Sequence, residues 1–288
     1  MAIWEAILLG IVQGLTEFLP ISSTAHLLLV RHLLGHANPE DAFTVVIQLG
    51  TLVAVFAYFR TDVVKLARGW WKDVASLRIG STPEGTMAWL VILGTIPVVL
   101  VGVALKKWLK ATFFNLPSVA IVATVFALLL ALAEWWTLRR TAKEKPARSE
   151  GDLGWRDALW VGGWQALALM PGASRSGTTI TGGLFAGLTR PVAARFSFVL
   201  SLPAITGAGL KELYDEYKLF KQTGTGLFAS GDEITALVVG LVVSAIVGYL
   251  AIAWLLHYLK RNSTFLFIAY RLLLGITLLL LIAMGVLH

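Results

Sequence analysis

Residues 13–26 read QGLTEFLPISSTAH, and residues 171–179 read PGASRSGTT. Both are polar islands in apolar surroundings. Of the 288 residues 57% are hydrophobic and 14% charged, with a mean hydropathy of +0.76, whereas an average soluble domain carries about 25% charged residues. The chain therefore reads as a multi-span membrane protein. Its islands bring a carboxylate, a histidine, several hydroxyls and one arginine to membrane depth, where ionisable groups are costly and mark functional sites by default. The islands also decide the fold. Stretches 3–19 and 22–34 flank Pro20, and stretches 157–170 and 178–188 flank Pro171. Each is shorter than the roughly 20 residues that cross a bilayer, and proline ends or kinks a helix by removing a backbone donor. Residues 3–34 and 157–188 are thus predicted to be broken, re-entrant helix pairs. Such breaks are tolerated only where protein buries them or they face a water-filled cavity.

Working outward, six stretches read as spans: 42–59, 87–105, 117–138, 194–210, 235–259 and 265–287. The halves also resemble each other. EAILLGIVQGL (5–15) set beside DALWVGGWQAL (157–167) matches Ala6 with Ala158, Gly10 with Gly162, Gln13 with Gln165 and Leu15 with Leu167 at a constant offset of 152. A one-residue slip then aligns the prolines, and FTVVIQL (43–49) resembles FSFVLSL (196–202). Each half holds one re-entrant pair and three spans; three is odd, so the second half enters the bilayer upside down. The predicted fold is an all-α integral membrane protein built as an inverted-topology repeat, with a first repeat over 1–140, a linker over 141–152 and a second repeat over 153–288. Repeats of this kind place their site near the midplane where they meet. The linker TAKEKPARSEGD is charged and contains proline, and is expected to be a flexible cytoplasmic segment.

The net charge of +7 reflects topology rather than nucleic-acid binding. Fifteen Lys and Arg lie in the loops on one side of this arrangement and six on the other, which places the first side in the cytoplasm and turns the termini and the mouth of the first pair outward. The absence of cysteine excludes disulfides, thiolate metal sites and cysteine nucleophiles. No cleavable leader is expected, because Glu5, Gln13 and Glu17 interrupt the first apolar run.

In the first island, Gln13 and Glu17 are four apart and share a helix face. Their oxygens suit a hard divalent cation such as Mg2+ or Ca2+, or Glu17 is simply solvated in a polar cavity. Ser22, Ser23 and Thr24 are helix-capping types after Pro20, and the amides of the helix they open form an anion site. His26, one turn on, is placed to be acid or base for a hydroxyl. In the second island Ser174, Ser176, Thr178 and Thr179 surround Arg175, whose fork suits phosphate; the plain alternative is an ion pair with Glu17 that staples the repeats. Metal-binding carboxylate, hydroxyl, histidine and arginine together are the parts of phosphoryl transfer, and a lipid phosphate is the expected substrate. A transporter or flippase of a lipid phosphate or anion would use the same scaffold.

At these residues the chain resembles the bacterial undecaprenyl-pyrophosphate phosphatase family, often called BacA or UppP. Gln13, Glu17 and the PxSSTxH-like segment 20–26 match its first motif, and 171–179 match its second, PGxSRSGxT. The resemblance covers nearly the whole chain. It implies a membrane hydrolase that converts undecaprenyl diphosphate to the monophosphate and phosphate, recycling the carrier for peptidoglycan and conferring bacitracin resistance. It also implies a divalent cation and a site facing the periplasm from the inner membrane; a homodimer stays open. Gln13 is the neutral variant of its position, so Glu17 carries more of the metal role. Ser23 is the expected nucleophile with His26 as its acid/base partner, Glu17 and Gln13 serve the metal, and Arg175 takes phosphate oxygens. Ser22, Thr24, Ser174, Ser176 and Thr179 are expected to bind phosphate.

Overall fold

The computed structural model describes residues 1–35, 42–144, 146–225, 228 and 230–285. Among these it is all-helical apart from turns and one isolated bridge between Arg148 and Leu188. The elements are α1 (Ile3–Phe18), α2 (Ser23–Leu33), α3 (Ala42–Val46), α4 (Gln48–Tyr58), α5 (Arg60–Ser76), α6 (Pro83–Phe113) and α7 (Leu116–Ala142), then a single 3-10 turn (Glu150–Asp152), then α8 (Trp155–Leu167), α9 (Arg175–Phe185), α10 (Arg190–Thr223), α11 (Gly231–Leu259) and α12 (Phe265–Ala283). Five helices are long and apolar enough to cross a membrane: α6 over Pro83–Leu105, α7, α10, α11 and α12.

Both broken pairs are present. α1 and α8 have 16 and 13 residues, and α2 and α9 have 11 each. At 1.5 Å per residue, 11 residues reach only about 17 Å, roughly half the hydrocarbon thickness. The chain turns between α1 and α2 at Pro20 and between α8 and α9 at Pro171. The second pair is shifted toward the N-terminus of its expected stretches: α8 runs from Trp155 to Leu167 rather than 157–170, and α9 begins at Arg175 rather than 178, because Ser174 takes the cap, and ends at Phe185.

The packing is exchanged between halves. α1 lies mainly on α11, and α8 mainly on α6. The matched glycines make both contacts. A Cβ on Gly10 would stand 2.8 Å from the Gly240 carbonyl, and one on Gly162 would collide with the Gly94 carbonyl. α1 and α8 are therefore built from small residues where another backbone must approach.

Two expectations need correction. Stretch 42–59 is not one continuous helix but α3 and the 11-residue α4, interrupted at Ile47 and followed directly by α5. No proline or glycine sits at the interruption. Ser244 on α11 donates to the Ile47 carbonyl at 3.0 Å, so a side chain from the other half satisfies a carbonyl at the break. Nor is the linker free throughout. Arg148 grips Asp157 with both terminal nitrogens at 2.7 Å, and its backbone bonds to Gly187 and Thr189. The spans 87–105, 117–138, 194–210 and 235–259 fall inside α6, α7, α10 and α11, while α12 ends at Ala283 and residues 286 and 287 lie outside the described residues.

Candidate active site

The two breaks meet. Glu17, in the last turn of α1, accepts from Arg175 Nη2 through Oε1 at 2.9 Å. Through Oε2 it accepts from the Ser23 hydroxyl at 2.8 Å and from Gln13 Nε2 at 3.1 Å. Ser23 and Arg175 are the first residues of α2 and α9, so two helix starts converge on one carboxylate. The Ser176 hydroxyl crosses the same seam to the Leu19 carbonyl at 2.9 Å. The ion pair raised as a plain staple is thus present. It does not use up its members: Arg175 Nη1 and Gln13 Oε1 are buried without a hydrogen-bond partner among the described residues.

Each helix start is shaped by the same unusual residue. Ser22 and Ser174 lie in the positive-φ region at φ 75° and 68°, which non-glycine residues adopt at a cost of order 1–3 kcal/mol. Ser22 Oγ accepts from the Ala25 amide and Ser174 Oγ from the Gly177 amide. The amides of Ser23, Thr24, Arg175 and Ser176 precede the intrahelical ladder and stay available to an anion at the positive ends of two helix dipoles. The two serines stand at the constant offset of 152, so the slip seen at the prolines is confined to the turns.

This alters the assignment of the hydroxyls. Ser22 and Ser174 cap helices and Ser176 ties the seam. Thr179 donates to the Arg175 carbonyl at 2.7 Å and makes a short contact with Ser197 Oγ. Four of the five hydroxyls expected to bind phosphate are therefore engaged in building the turns, and Thr24 is the one without such a bond among those described. The helix-start amides, Arg175, the Thr24 hydroxyl and the protons of the two cap hydroxyls, which only accept in their caps, are the donors left over.

His26 also differs from expectation. It does not bond Ser23, whose hydroxyl goes to Glu17. Its Nδ1 donates to the Ser22 carbonyl at 2.7 Å, and in the neutral ring Nε2 accepts from the Tyr270 hydroxyl at 2.7 Å while the two rings stack. Tyr270 was not anticipated. Beside it, Arg271 reaches the carbonyls of both breaks. An arginine inside a span is a signal a sequence can carry, but nothing in the sequence marks Tyr270, whose partner is 244 residues away.

A cation fits these residues narrowly. Gln13 Oε1 is a buried acceptor with no partner next to the Glu17 carboxylate, and no group of three His, Cys, Asp or Glu that could hold a metal occurs among the described residues. Two protein oxygens would leave most of the coordination to water and phosphate, the habit of Mg2+.

Fold and site together define an all-helical integral membrane protein in which two broken helix pairs meet at the Glu17–Arg175 pair. The model of the family "Bacitracin resistance protein BacA" matches residues 6–277, and the chain belongs to that family. It is 47% identical over 288 residues to a protein of Chlorobium phaeobacteroides (strain BS1) named undecaprenyl-diphosphatase, covering 100% of both chains. It is 48% identical to one of the same name from Chlorobium luteolum (strain DSM 273 / BCRC 81028 / 2530), covering 99% of each. A third, from Chloroherpeton thalassium (strain ATCC 35110 / GB-78), is 47% identical over 99% of this chain and 98% of that one.

Proposed function

We propose that this chain is an undecaprenyl-diphosphate phosphatase, releasing inorganic phosphate and undecaprenyl phosphate and so recycling the lipid carrier for peptidoglycan synthesis; resistance to bacitracin follows where that antibiotic sequesters the diphosphate. The observation that carries this reading is the unpartnered Arg175 Nη1 beside the Ser23 to Glu17 hydrogen bond, at the start of two helices. Together they provide a hydroxyl with an adjacent base and donors for phosphate oxygens.

Ser23 Oγ attacks the terminal phosphorus as its proton passes to Glu17 Oε2, and the bond from that phosphorus to the bridging oxygen breaks. Undecaprenyl phosphate leaves with the pair of electrons on that oxygen. Water then attacks the phosphoserine, the phosphorus to Oγ bond breaks, and the serine recovers a proton as phosphate departs. Arg175 turns from Glu17 to the phosphate oxygens, joined by the amides at the starts of α2 and α9. Glu17 returns its proton to the serine oxygen, the monophosphate leaves unprotonated, and His26, held by the Ser22 carbonyl and through Nε2 by the Tyr270 hydroxyl, fixes the first turn of α2 beside the reacting groups. Gln13 and Glu17 would hold a divalent cation, which supplies neutralisation of the diphosphate charge. The exchanged packing supports the inverted arrangement, with the site opening to the periplasmic side of the inner membrane. Transport of a lipid phosphate would use Arg175 and the helix starts but leave the Ser23 to Glu17 bond without a role.

The test is phosphate release from a prenyl diphosphate by the purified protein in detergent, with Mg2+, Ca2+ or EDTA. Glu17→Gln and Arg175→Ala are each expected to lose about 100-fold or more in rate. Ser23→Ala should be equally inactive, and a large residual rate in it would move the attack to water. Absence of release by the intact protein overturns the reading in favour of transport.

A further inference from the structure

Arg271 is the second largest fully buried side chain after Arg31, with no exposure, in the middle of α12. A buried guanidinium needs compensation, yet Arg271 pairs with no carboxylate among the described residues. Its Nη2 donates to the carbonyls of Gly172 and Ala173 at 3.1 and 3.0 Å, and its Nη1 makes a longer contact with the Pro20 carbonyl at 3.5 Å. Its Nε has no partner. One side chain thus reaches the backbone of both breaks, in segments some 150 residues apart, at carbonyls of the turns that lie outside either helix ladder.

Gly177 belongs to the same device. A Cβ there would stand 2.6 Å from Arg271 Nη1 and 3.1 Å from Ser174 Cβ, so only glycine lets the guanidinium lie flush against the first turn of α9.

We infer that Arg271 is the positioning residue that holds the two re-entrant turns in register, keeping Ser23 and Glu17 of the first beside Arg175 of the second while phosphate is bound. This rests on the phosphatase reading, and the reason is the fate of the other crossing bonds. Three ties join the turns: Glu17 to Arg175, Ser176 to the Leu19 carbonyl, and Arg271 to both. The first must open when Arg175 takes phosphate oxygens. Ser176 contributes a single neutral bond. Among the described residues Arg271 hydrogen-bonds only to backbone carbonyls, which turnover does not consume, and its charge lies against the first turn of α9, where it also favours an anion.

The experiment uses the full-length protein in detergent with Arg271→Gln and Arg271→Lys, read by hydrogen exchange and by kinetics. In Arg271→Gln, amides of 19–25 and of 171–178 should exchange at least tenfold faster, with those of α7 and α11 unchanged. Its kcat should fall at least tenfold with KM within threefold of the parent. Arg271→Lys keeps the charge but cannot span two turns, so it should recover little of kcat and keep the faster exchange in both turns. Faster exchange in only one turn, or kcat within twofold of the parent, overturns the assignment. Global unfolding of both variants also overturns it, making Arg271 a core ion and not a positioning residue. The exchange readout needs no substrate, so loosened turns in a protein that never releases phosphate would sink the phosphatase reading and leave the register role standing.

Discussion

Two glutamate–arginine pairs lie inside the helix bundle among the described residues, and they are finished differently. Glu134 on α7 is fully buried. It accepts from Arg190 Nε at 2.9 Å and from Arg190 Nη2, and its other oxygen accepts from the Thr264 amide and hydroxyl at 3.2 and 2.7 Å. Four donors saturate it and tie α7, α10 and the entry to α12 together. The Glu17–Arg175 pair holds two half-helices in a similar way but leaves Arg175 Nη1 and Gln13 Oε1 buried and unsatisfied. A buried ion pair alone is weak evidence for stability. Whether its donors and acceptors are all consumed is what separates a staple from a site.

Exchanging the substitution between the two pairs is the sharpest way to break the comparison. Glu134→Gln removes a fully buried carboxylate that four donors hold and leaves the part-exposed Arg190 guanidinium without its partner; it should cost up to about 3–5 kcal/mol of stability, seen as a large fall in melting temperature, with the rate per folded molecule within twofold of the parent. Glu17→Gln should do the reverse, abolishing turnover while the melting temperature holds or rises. If both variants lose stability and neither loses specific rate, the distinction fails.

A smaller effect sharpens the role of the first turn. Tyr270→Phe removes the hydroxyl that His26 Nε2 accepts; a neutral hydrogen bond is worth about 0.5–1.5 kcal/mol, so kcat should fall about 2- to 10-fold with the melting temperature unchanged. An unchanged kcat would reduce Tyr270 to a packing partner. The smallest effect lies away from the site, on the α5–α6 connection. Asp73 accepts from the Ser81 hydroxyl, the Gly80 and Ser81 amides and Trp89 Nε1. These bonds, that from the Ser81 hydroxyl foremost, hold its carboxyl below the ordinary carboxylate value. A depressed folded value stabilises above the unfolded pKa, about 3.9, and is lost as pH falls below it. The melting temperature should therefore drop more steeply below about pH 4 in the parent than in Asp73→Asn, and parallel curves would remove Asp73 as a contributor.

What the sequence made legible was local. Pro20 and Pro171 marked the breaks, and the residues of the site cluster lie within a few positions of them. The glycine and glutamine matches between halves were visible because exchanged packing requires small residues at the same register. What stayed hidden depends on distant partners. The interruption at Ile47 is satisfied by Ser244, so no helix breaker was needed to announce it. Arg175 starts its helix because Ser174 adopts a positive φ, contrary to the extended backbone usual at a cap. That Ser22, Ser174, Ser176 and Thr179 also build the turns was hidden, because a serine's sequence context does not show which backbone groups its oxygen meets. The expected bond between Ser23 and His26 was displaced by a carboxylate six residues before the serine.

The central claim is that Arg175 is shared between Glu17 and phosphate. It is tested most directly by the affinity of the intact protein, in detergent with EDTA, for a prenyl diphosphate analogue whose bridging oxygen is replaced by methylene. Arg175→Ala should weaken binding about 100-fold, the loss of two charge-assisted bonds at about 1.5 kcal/mol each, whereas Glu17→Gln, which frees the guanidinium, should bind at least as tightly as the parent. Binding by Arg175→Ala within twofold of the parent would contradict the account.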